Sequence, residues 1–189
     1  MTPRITAAMA ARAAAMAFVL VAMLVRVLQG ARRPRLATTE EGFGLYLVGV
    51  GVLTAFGNDT LPRGLTVSAF CAVSLDPPLA LACIDKTYNT LPAVQHTGGF
   101  TANILATGRD QLARRMATKV TDKFDAIVWR RPRSPLGGPI LDDDIAAYAV
   151  CTLRDTIEAG DHWILIGLVT EGAHREGVAP MVFSRRGYA

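Results

Sequence analysis

Three short segments hold the polar residues that could bind a ligand. In the first, TVSAFCAVSL at 66–75, Thr66, Ser68 and Ser74 alternate with apolar residues. A strand with this alternation buries its apolar face in a barrel core and lets a flat ligand approach the hydroxyl face. The alternative is a half-exposed strand on which hydroxyl residues are ordinary, and the pattern alone favours it.

The second segment, DKTYNT at 85–90, gathers Lys86, Thr87, Asn89 and Thr90 where a predicted strand ends and a predicted helix begins. A helix N-terminus beside a lysine suits a phosphate group. Because no glycine-rich cradle is present, a solvated turn with a helix cap is an equally good interpretation.

The third segment is Gly160-Asp161-His162-Trp163, where His162 begins an apolar run. Such a histidine can stack on or hydrogen-bond a cofactor, but a structural histidine is the commoner case. The acidic run 142–144 lacks partner ligands in register and is predicted to be a solvated turn. No metal site is predicted, because the histidines and cysteines show no zinc spacing.

The sequence contains no GxSxG motif and no paired carboxylates in an apolar setting. Side-chain acid–base or nucleophilic catalysis is therefore not indicated. An enzyme with these features would bind an organic cofactor that carries out the chemistry.

Many short strands with turn signals between them predict a mainly β fold, a β-barrel with short helical excursions. We predict strands at 45–56, 66–75, 79–85, 100–106, 145–153, 163–170 and 180–184, and helices at about 89–95 and 110–117.

Charge is distributed unevenly along the 189 residues. Six arginines and no acidic residue precede Glu40, which leaves 14 basic against 16 acidic residues from there onward. Without a basic stripe in the globular part, no nucleic acid partner is predicted. Three cysteines without a CxxC pair favour a reducing compartment, so we expect a cytoplasmic protein.

The N-terminal segment contains a 13-residue apolar run at 13–25 between Arg12 and Arg26. We predict an apolar helix there and assign residues 1–36 to an extension and linker, and residues 37–189 to the globular domain. The run is short for a transmembrane helix. Three interpretations remain open: an appended helix without a role in the chemistry, a membrane anchor through residues 13–28, and a cleaved signal.

From about residue 43 the chain resembles the flavin reductase-like family, the reductase components of two-component flavin monooxygenases. The resemblance rests on the order of its motifs. The matching stretches are RGLTVSAFCAVSLDPPLALACIDK (63–86), NTLPAVQHTGGFTANILA (89–106), KF (123–124), GGPIL (137–141), AGDHWILIGLVTEG (159–172) and PMVFSRRGYA (180–189).

The resemblance implies an FMN-binding split β-barrel and a homodimer that holds flavin near the subunit interface. It places His162 on the nicotinamide side. Serine is frequent in the family where Tyr88 stands here, which affects the phosphate contacts. The flavin-binding residues that it implies are Gly64, Thr66, Val67, Ser68, Ala69, Ser74, Leu75, Cys83, Asp85, Lys86, Asn89, Thr90, Arg185 and Tyr188.

The function that follows is an NAD(P)H:flavin oxidoreductase. It would pass a hydride from NADH or NADPH to FMN or FAD and supply reduced flavin to a partner monooxygenase. Two alternatives are an FMN-binding module without reductase activity and a membrane-tethered flavin protein.

Overall fold

The structure, a computed structural model, describes residues 48–184 and 187–188. The predicted extension 1–36 with its apolar helix, and also Arg185, lie outside these residues. The described part is mainly β, as predicted, with two short α-helices. Its strands are β1 (Val48–Gly49), β2 (Gly51–Phe56), β3 (Pro62–Val67), β4 (Phe70–Leu75), β5 (Pro78–Asp85), β6 (Gly99–Leu105), β7 (Ile145–Ala159), β8 (His162–His174), β9 (Val182–Ser184) and β10 (Gly187–Tyr188). Its α-helices are α1 (Thr90–Thr97) and α2 (Asp110–Met116).

Seven strands form one sheet in the order β3-β2-β6-β7-β8-β5-β4, and β1, β9 and β10 form a small second sheet. All pairings are antiparallel. The strands β3 and β4 follow each other in the chain but lie at opposite edges of the large sheet. The sheet must therefore curl, and β3 comes into contact with β5 on the opposite side. The Cys83 N–H donates to the Ala69 carbonyl at 2.9 Å, which extends the β4–β5 ladder into the bend.

The prediction of a single strand at 66–75 is wrong. The chain bends at Ser68 and Ala69, which separates β3 from β4. The predicted burial of its apolar face is also wrong beyond Val67, because Cys71 is exposed and Val73 keeps 50% of its surface accessible. The curl of the sheet turns this part of β4 outward, and Phe70 packs against the core in its place.

Two apolar clusters fill the described part of the chain. One lies inside the curled sheet around Phe100, Ile84 and Leu165, with α1 packed against it through Val94. The other lies between β2, α2 and the second sheet around Met116, Ile140 and Met181. Burial of this much apolar surface is what holds the short strands together.

The segment GGPIL docks on β2 through a buried polar network. A Cβ atom added to Gly138 would lie 2.2 Å from the Thr54 carbonyl carbon, so only glycine allows this approach. The Thr54 hydroxyl donates to the Pro139 carbonyl at 2.7 Å, and the Asn103 amide donates to the same carbonyl at 3.1 Å. The Leu141 N–H donates to Asn103 Oδ1 at 3.0 Å.

No helix in the described part of the chain has the length and apolar character needed to cross a membrane. The acidic run 142–144 forms a short 3-10 helix, and Arg130 and Arg109 pair with Asp142 and Asp144. The described residues contain no cluster suited to a metal ion.

Candidate flavin site

The turn Asp85–Asn89 links β5 to α1 and holds the most polar of the predicted site residues. Asp85 Oδ1 accepts hydrogen bonds from the Thr87 N–H at 2.7 Å and from the Thr87 hydroxyl at 2.6 Å. These bonds, with the nearby His162 and Lys119, lower the pKa of Asp85. The turn is therefore held closed by its own side chains, as local bonding by Asp and Thr favours.

Helix α1 begins immediately after this turn with an uncapped end. Asn89 occupies the N-cap position but makes no capping hydrogen bond, and the first turn has no acidic residue. The Thr90 hydroxyl is fully buried and is without a hydrogen-bond partner in the described part of the chain. A buried hydroxyl without a partner is costly, so Thr90 is a candidate donor to a ligand bound at the start of α1. The N-terminus of a helix favours an anion, and a phosphate group is one.

His162 begins β8 and is paired with Asp85 across the β5–β8 ladder. Its Nδ1 lies 2.7 Å from Asp161 Oδ1, and 43% of its side chain is exposed. This hydrogen bond is the main reason why the pKa of Asp161 is lowered. The histidine ring is thus held through Nδ1 by a carboxylate, while a large part of its side chain remains exposed.

Lys86 follows Asp85, but its side chain points away from the predicted phosphate. Its Nζ pairs with the Glu158 carboxylate and lies 5.8 Å from the Trp163 ring centroid. Its main-chain N–H donates to the Asp161 carbonyl at 3.0 Å, which ties the turn to the start of β8.

The predicted ring-binding residues lie at the end of β3 and in the bend that follows. Gly64 is buried and faces Phe124, whose ring would be 3.0 Å from an added Cβ atom. The Thr66 hydroxyl donates to the Ala113 carbonyl of α2 at 2.6 Å, so only its lone pairs can still serve a ligand. Val67 is buried, whereas Ser68 and Ala69 are exposed.

Cys83, Ser74 and Leu75 lie along the β4–β5 pair. Cys83 pairs with Ile164, and burial is the main cause that raises the pKa of its thiol. Ser74 pairs with Leu79, six residues before Asp85 along β5, which corresponds to about 20 Å of strand. A site that includes both Ser74 and Asp85 in one subunit must extend over that length.

Tyr188 is not brought to this turn by any contact among the described residues. Its ring packs 5.2 Å from the Phe183 ring and lies 5.2 Å from the Arg114 guanidinium. It belongs to the second apolar cluster, beside α2.

A cavity of about 210 Å³ lies beside Asn89, between the start of β3 and the segment after α2. Lys123 lines it and is itself only 5% exposed. Lys123 Nζ donates to the carbonyls of Gly64 and Met116, both at 2.9 Å, and burial lowers its pKa. The cavity is lined by Leu61, Pro62, Arg63, Gly64, Asn89, Val120, Thr121, Lys123 and Phe124.

Lys119 and Lys123 are the residues of this region to which sequence reasoning gave no role. Lys119 Nζ donates to the Thr87 hydroxyl at 3.0 Å. Neither lysine adjoins the turn in sequence. The KF pair at 123–124 was the one signal in this segment, as one of the stretches that carry the family resemblance. Their position follows from the packing of α2 against β3.

Comparison with known proteins identifies the family of the chain. Residues 43–189 match the model of the family described as flavin reductase like domain. A flavin reductase (NADH) of Kitasatospora aureofaciens is 40% identical over 147 residues, covering 77% of this chain and 76% of that protein. A flavin-dependent monooxygenase, reductase subunit HsaB, of Rhodococcus jostii is 34% identical, covering 77% and 72%. Two relatives from Rhizobium meliloti are longer, and the chain spans 47% and 63% of their lengths.

Among solved structures, the NADH:FAD oxidoreductase SgcE6 of Streptomyces globisporus, in complex with NAD and FAD fragments, superposes with a TM-score of 0.75. It is 28% identical, and the match covers 82% of this chain and 96% of that one. The family that the sequence motifs predicted is confirmed, and the chain belongs to the flavin reductase-like family.

Proposed function

We propose that this protein is an NAD(P)H-dependent flavin reductase whose flavin lies with its phosphate at the turn Asp85–Asn89 and its ring at the end of β3. The observation that carries the proposal is the buried Thr90 hydroxyl, which has no partner among the described residues, at the turn that follows the β5–β8 pair of Asp85 and His162. The chemistry of this corner matches the phosphate of a flavin nucleotide, and names borne by its relatives support the activity.

The phosphate end is formed by α1 and the turn before it. Thr90 offers its hydroxyl, Asn89 its unengaged amide, and the first turn of α1 its unbonded N–H groups. The N–H groups of α1 are fixed by the backbone, so they require no rearrangement to meet an anion. At the ring end, Gly64 through Ala69 supply a narrow surface and main-chain N–H groups for the flavin edge.

The bound flavin supplies the acceptor for a hydride from reduced nicotinamide. The protein's part is to stack two flat ligands at reacting distance and to exclude water from between them. His162, fixed through Asp161, borders the space for the nicotinamide. It is proposed to orient that ligand, and no side-chain proton relay is needed.

The reduced flavin then serves a separate monooxygenase. The HsaB relative is a reductase subunit of such a system, which supports the same role here.

A homodimer is the second part of the proposal, and it rests on the outer face of the β4–β5–β8–β7 sheet. Paired positions on these strands carry apolar side chains that the monomer leaves partly exposed. A face that exposes this many apolar side chains favours a subunit interface, with the charge of Asp155 opposite Ile166 as an exception. A second copy would also protect the edge strand β4. We refer to it as the apolar face, formed by Cys71, Val73, Leu79, Leu81, Cys83, Ile157, Ile164, Ile166 and Leu168.

We also infer that the curled sheet is a split β-barrel, since the short bend at Ser68 and Ala69 connects the strands at its two opposite edges. The division of the chain at residue 36, and a cytoplasmic location, stay predictions.

The direct test is oxidation of NADH and NADPH by the full chain with and without added FMN, FAD or riboflavin. We expect turnover that requires added flavin, and the pair that supports it identifies both substrates. Flavin binding without turnover would replace the proposal with a binding module, and the absence of both would leave only the fold in common with the family.

A further inference from the structure

Tyr88 ties the phosphate turn to the end of helix α2. Its hydroxyl donates to the carbonyl of Ala117, the C-cap residue of α2, at 2.6 Å. A small residue at position 88 could not span this gap. The tyrosine therefore brings the segment after α2, which carries Lys119 and Lys123, against the turn.

Both lysines contact the Tyr88 ring. Their Nζ atoms lie 5.4 Å (Lys119) and 5.5 Å (Lys123) from its centroid, within the range of a cation–π interaction. Lys123 is buried, and its ammonium group already donates hydrogen bonds to the carbonyls of Gly64 and Met116. Lys119 is exposed and donates one hydrogen bond, to the Thr87 hydroxyl. An ammonium group has three N–H donors, so Lys119 retains capacity for an anionic ligand.

We propose that Lys119 binds the phosphate of the flavin nucleotide and that Tyr88 is the positioning residue that holds it there. The inference rests on the proposed function, because it requires flavin at this turn. Thr87 connects Lys119 to the turn, because its hydroxyl accepts from Lys119 Nζ at 3.0 Å and donates to Asp85 Oδ1 at 2.6 Å. Three residues later comes Thr90, whose buried hydroxyl has no partner among the described residues.

Charge balance at the turn supports this role. The Asp85 carboxylate would repel a phosphate, and Lys86, the adjacent cation, is paired with Glu158. Lys119 is the exposed ammonium that the structure places at the turn, and its charge contributes to lowering the pKa of Asp85. A cation here offsets the carboxylate and attracts the ligand.

The test compares flavins that differ only beyond the ribityl chain. Dissociation constants for riboflavin, FMN and FAD are measured by flavin fluorescence on the full chain and on Lys119→Gln and Tyr88→Phe. Arg133→Gln is the charge-matched control. Arg133 is exposed, and its backbone N–H contacts Glu171, nine residues or about 30 Å along β8 from His162.

We expect Lys119→Gln to weaken binding of FMN or FAD about tenfold while riboflavin changes less than about twofold, as loss of one charge-assisted bond implies. Tyr88→Phe keeps the ring but loses the bond to Ala117, so it should weaken FMN by a smaller factor and spare riboflavin. Equal losses for riboflavin and FMN, or no loss for either, would overturn the assignment. Failure of the proposed function is a separate result, because the wild-type chain would then fail to oxidise NADH or NADPH with any flavin.

Discussion

Asp85 and His162 face each other as Cα partners across the β5–β8 ladder. The two residues are 77 positions apart in the chain, yet the register fixes them beside one another at the same end of the sheet. A phosphate bound at the turn after Asp85 and a nicotinamide beside His162 would thus belong to one site.

The exposed His162 ring should matter for the nicotinamide and not for the flavin. We expect His162→Ala to lower kcat/KM for NADH or NADPH about tenfold or more, because an orienting contact at the reacting pair is lost. The flavin dissociation constant should change less than about twofold. His174→Ala at the far, exposed end of β8 is the control and should leave both quantities unchanged. A flavin affinity that falls in parallel with turnover would place His162 against the flavin instead.

Removing the buried Thr90 hydroxyl should have opposite effects on the stability of the protein and on its affinity for FMN. Thr90→Val keeps the shape of the side chain and removes a polar atom that no described residue bonds. The ligand-free variant should be as stable as wild type or up to about 1 kcal/mol more stable in urea unfolding. Its dissociation constant for FMN should rise about tenfold while riboflavin binding is kept. Loss of stability together with unchanged FMN binding would mean that the hydroxyl serves the fold and not a phosphate.

The apolar face should govern the oligomeric state. Val73 lies in the middle of edge strand β4 and keeps 50% of its surface exposed. A charge buried there would be unpaired in a dimer interface, so Val73→Glu should convert dimer to monomer in light scattering coupled to size exclusion. Val128→Glu is the matched control, because Val128 is 66% exposed in a loop outside this face. A wild-type monomer, or a dimer that persists in Val73→Glu, would reject the interface.

Local sequence signals were sufficient to predict where the helices and most of the strands lie. Helix α1 was predicted at about 89–95 and extends over Thr90–Thr97, where Gly98 ends it at φ 72° with its N–H bonded to the Val94 carbonyl. Such a glycine stop is readable from sequence. The break at Ser68 and Ala69 could not be predicted from sequence, because no glycine, proline or asparagine marks it and the residues around it keep a strand pattern. Only the meeting of the sheet's two edges requires the bend.

Some site residues could be predicted from sequence and others could not. The turn 85–90 and His162 stand out by residue type, so they could be proposed from sequence. The roles of Lys119 and Lys123 depend on α2 packing beside β3, and the role of Asn103 depends on partners 36 to 51 residues away. Sequence spacing gives no sign of such contacts.

The buried Asn103 network should be a large contributor to stability. Its amide nitrogen donates to carbonyls of Val52 and Pro139, and its oxygen accepts from the Leu141 N–H. Asn103→Ala leaves these buried groups unbonded, so we expect the free energy of unfolding to fall by about 3 kcal/mol. Thr170→Val, which removes an exposed hydroxyl bonded to Val150, should change it by less than about 0.5 kcal/mol. Similar small losses for both variants in urea unfolding would contradict a structural role for the network.

The buried Lys123 should make stability depend on pH in the alkaline range. Burial lowers its pKa in the folded protein below the usual value of 10.5. Between that lowered pKa and 10.5 the unfolded chain binds more protons than the folded one, so the free energy of unfolding rises with pH across this window. Below the window both states hold the proton, and Lys123 adds no slope.

Lys123→Met should remove that rise. Methionine fills similar space but cannot titrate, so the loss of its bonds to Gly64 and Met116 lowers stability at every pH without adding slope. Urea unfolding of both proteins from about pH 7 to about pH 10.5 gives the difference directly, since every other titrating group is shared. The difference in free energy between wild type and variant should be constant at the lower pH values and should then widen as pH rises. A difference that stays constant throughout would show that the Lys123 ammonium has the same affinity for its proton in both states.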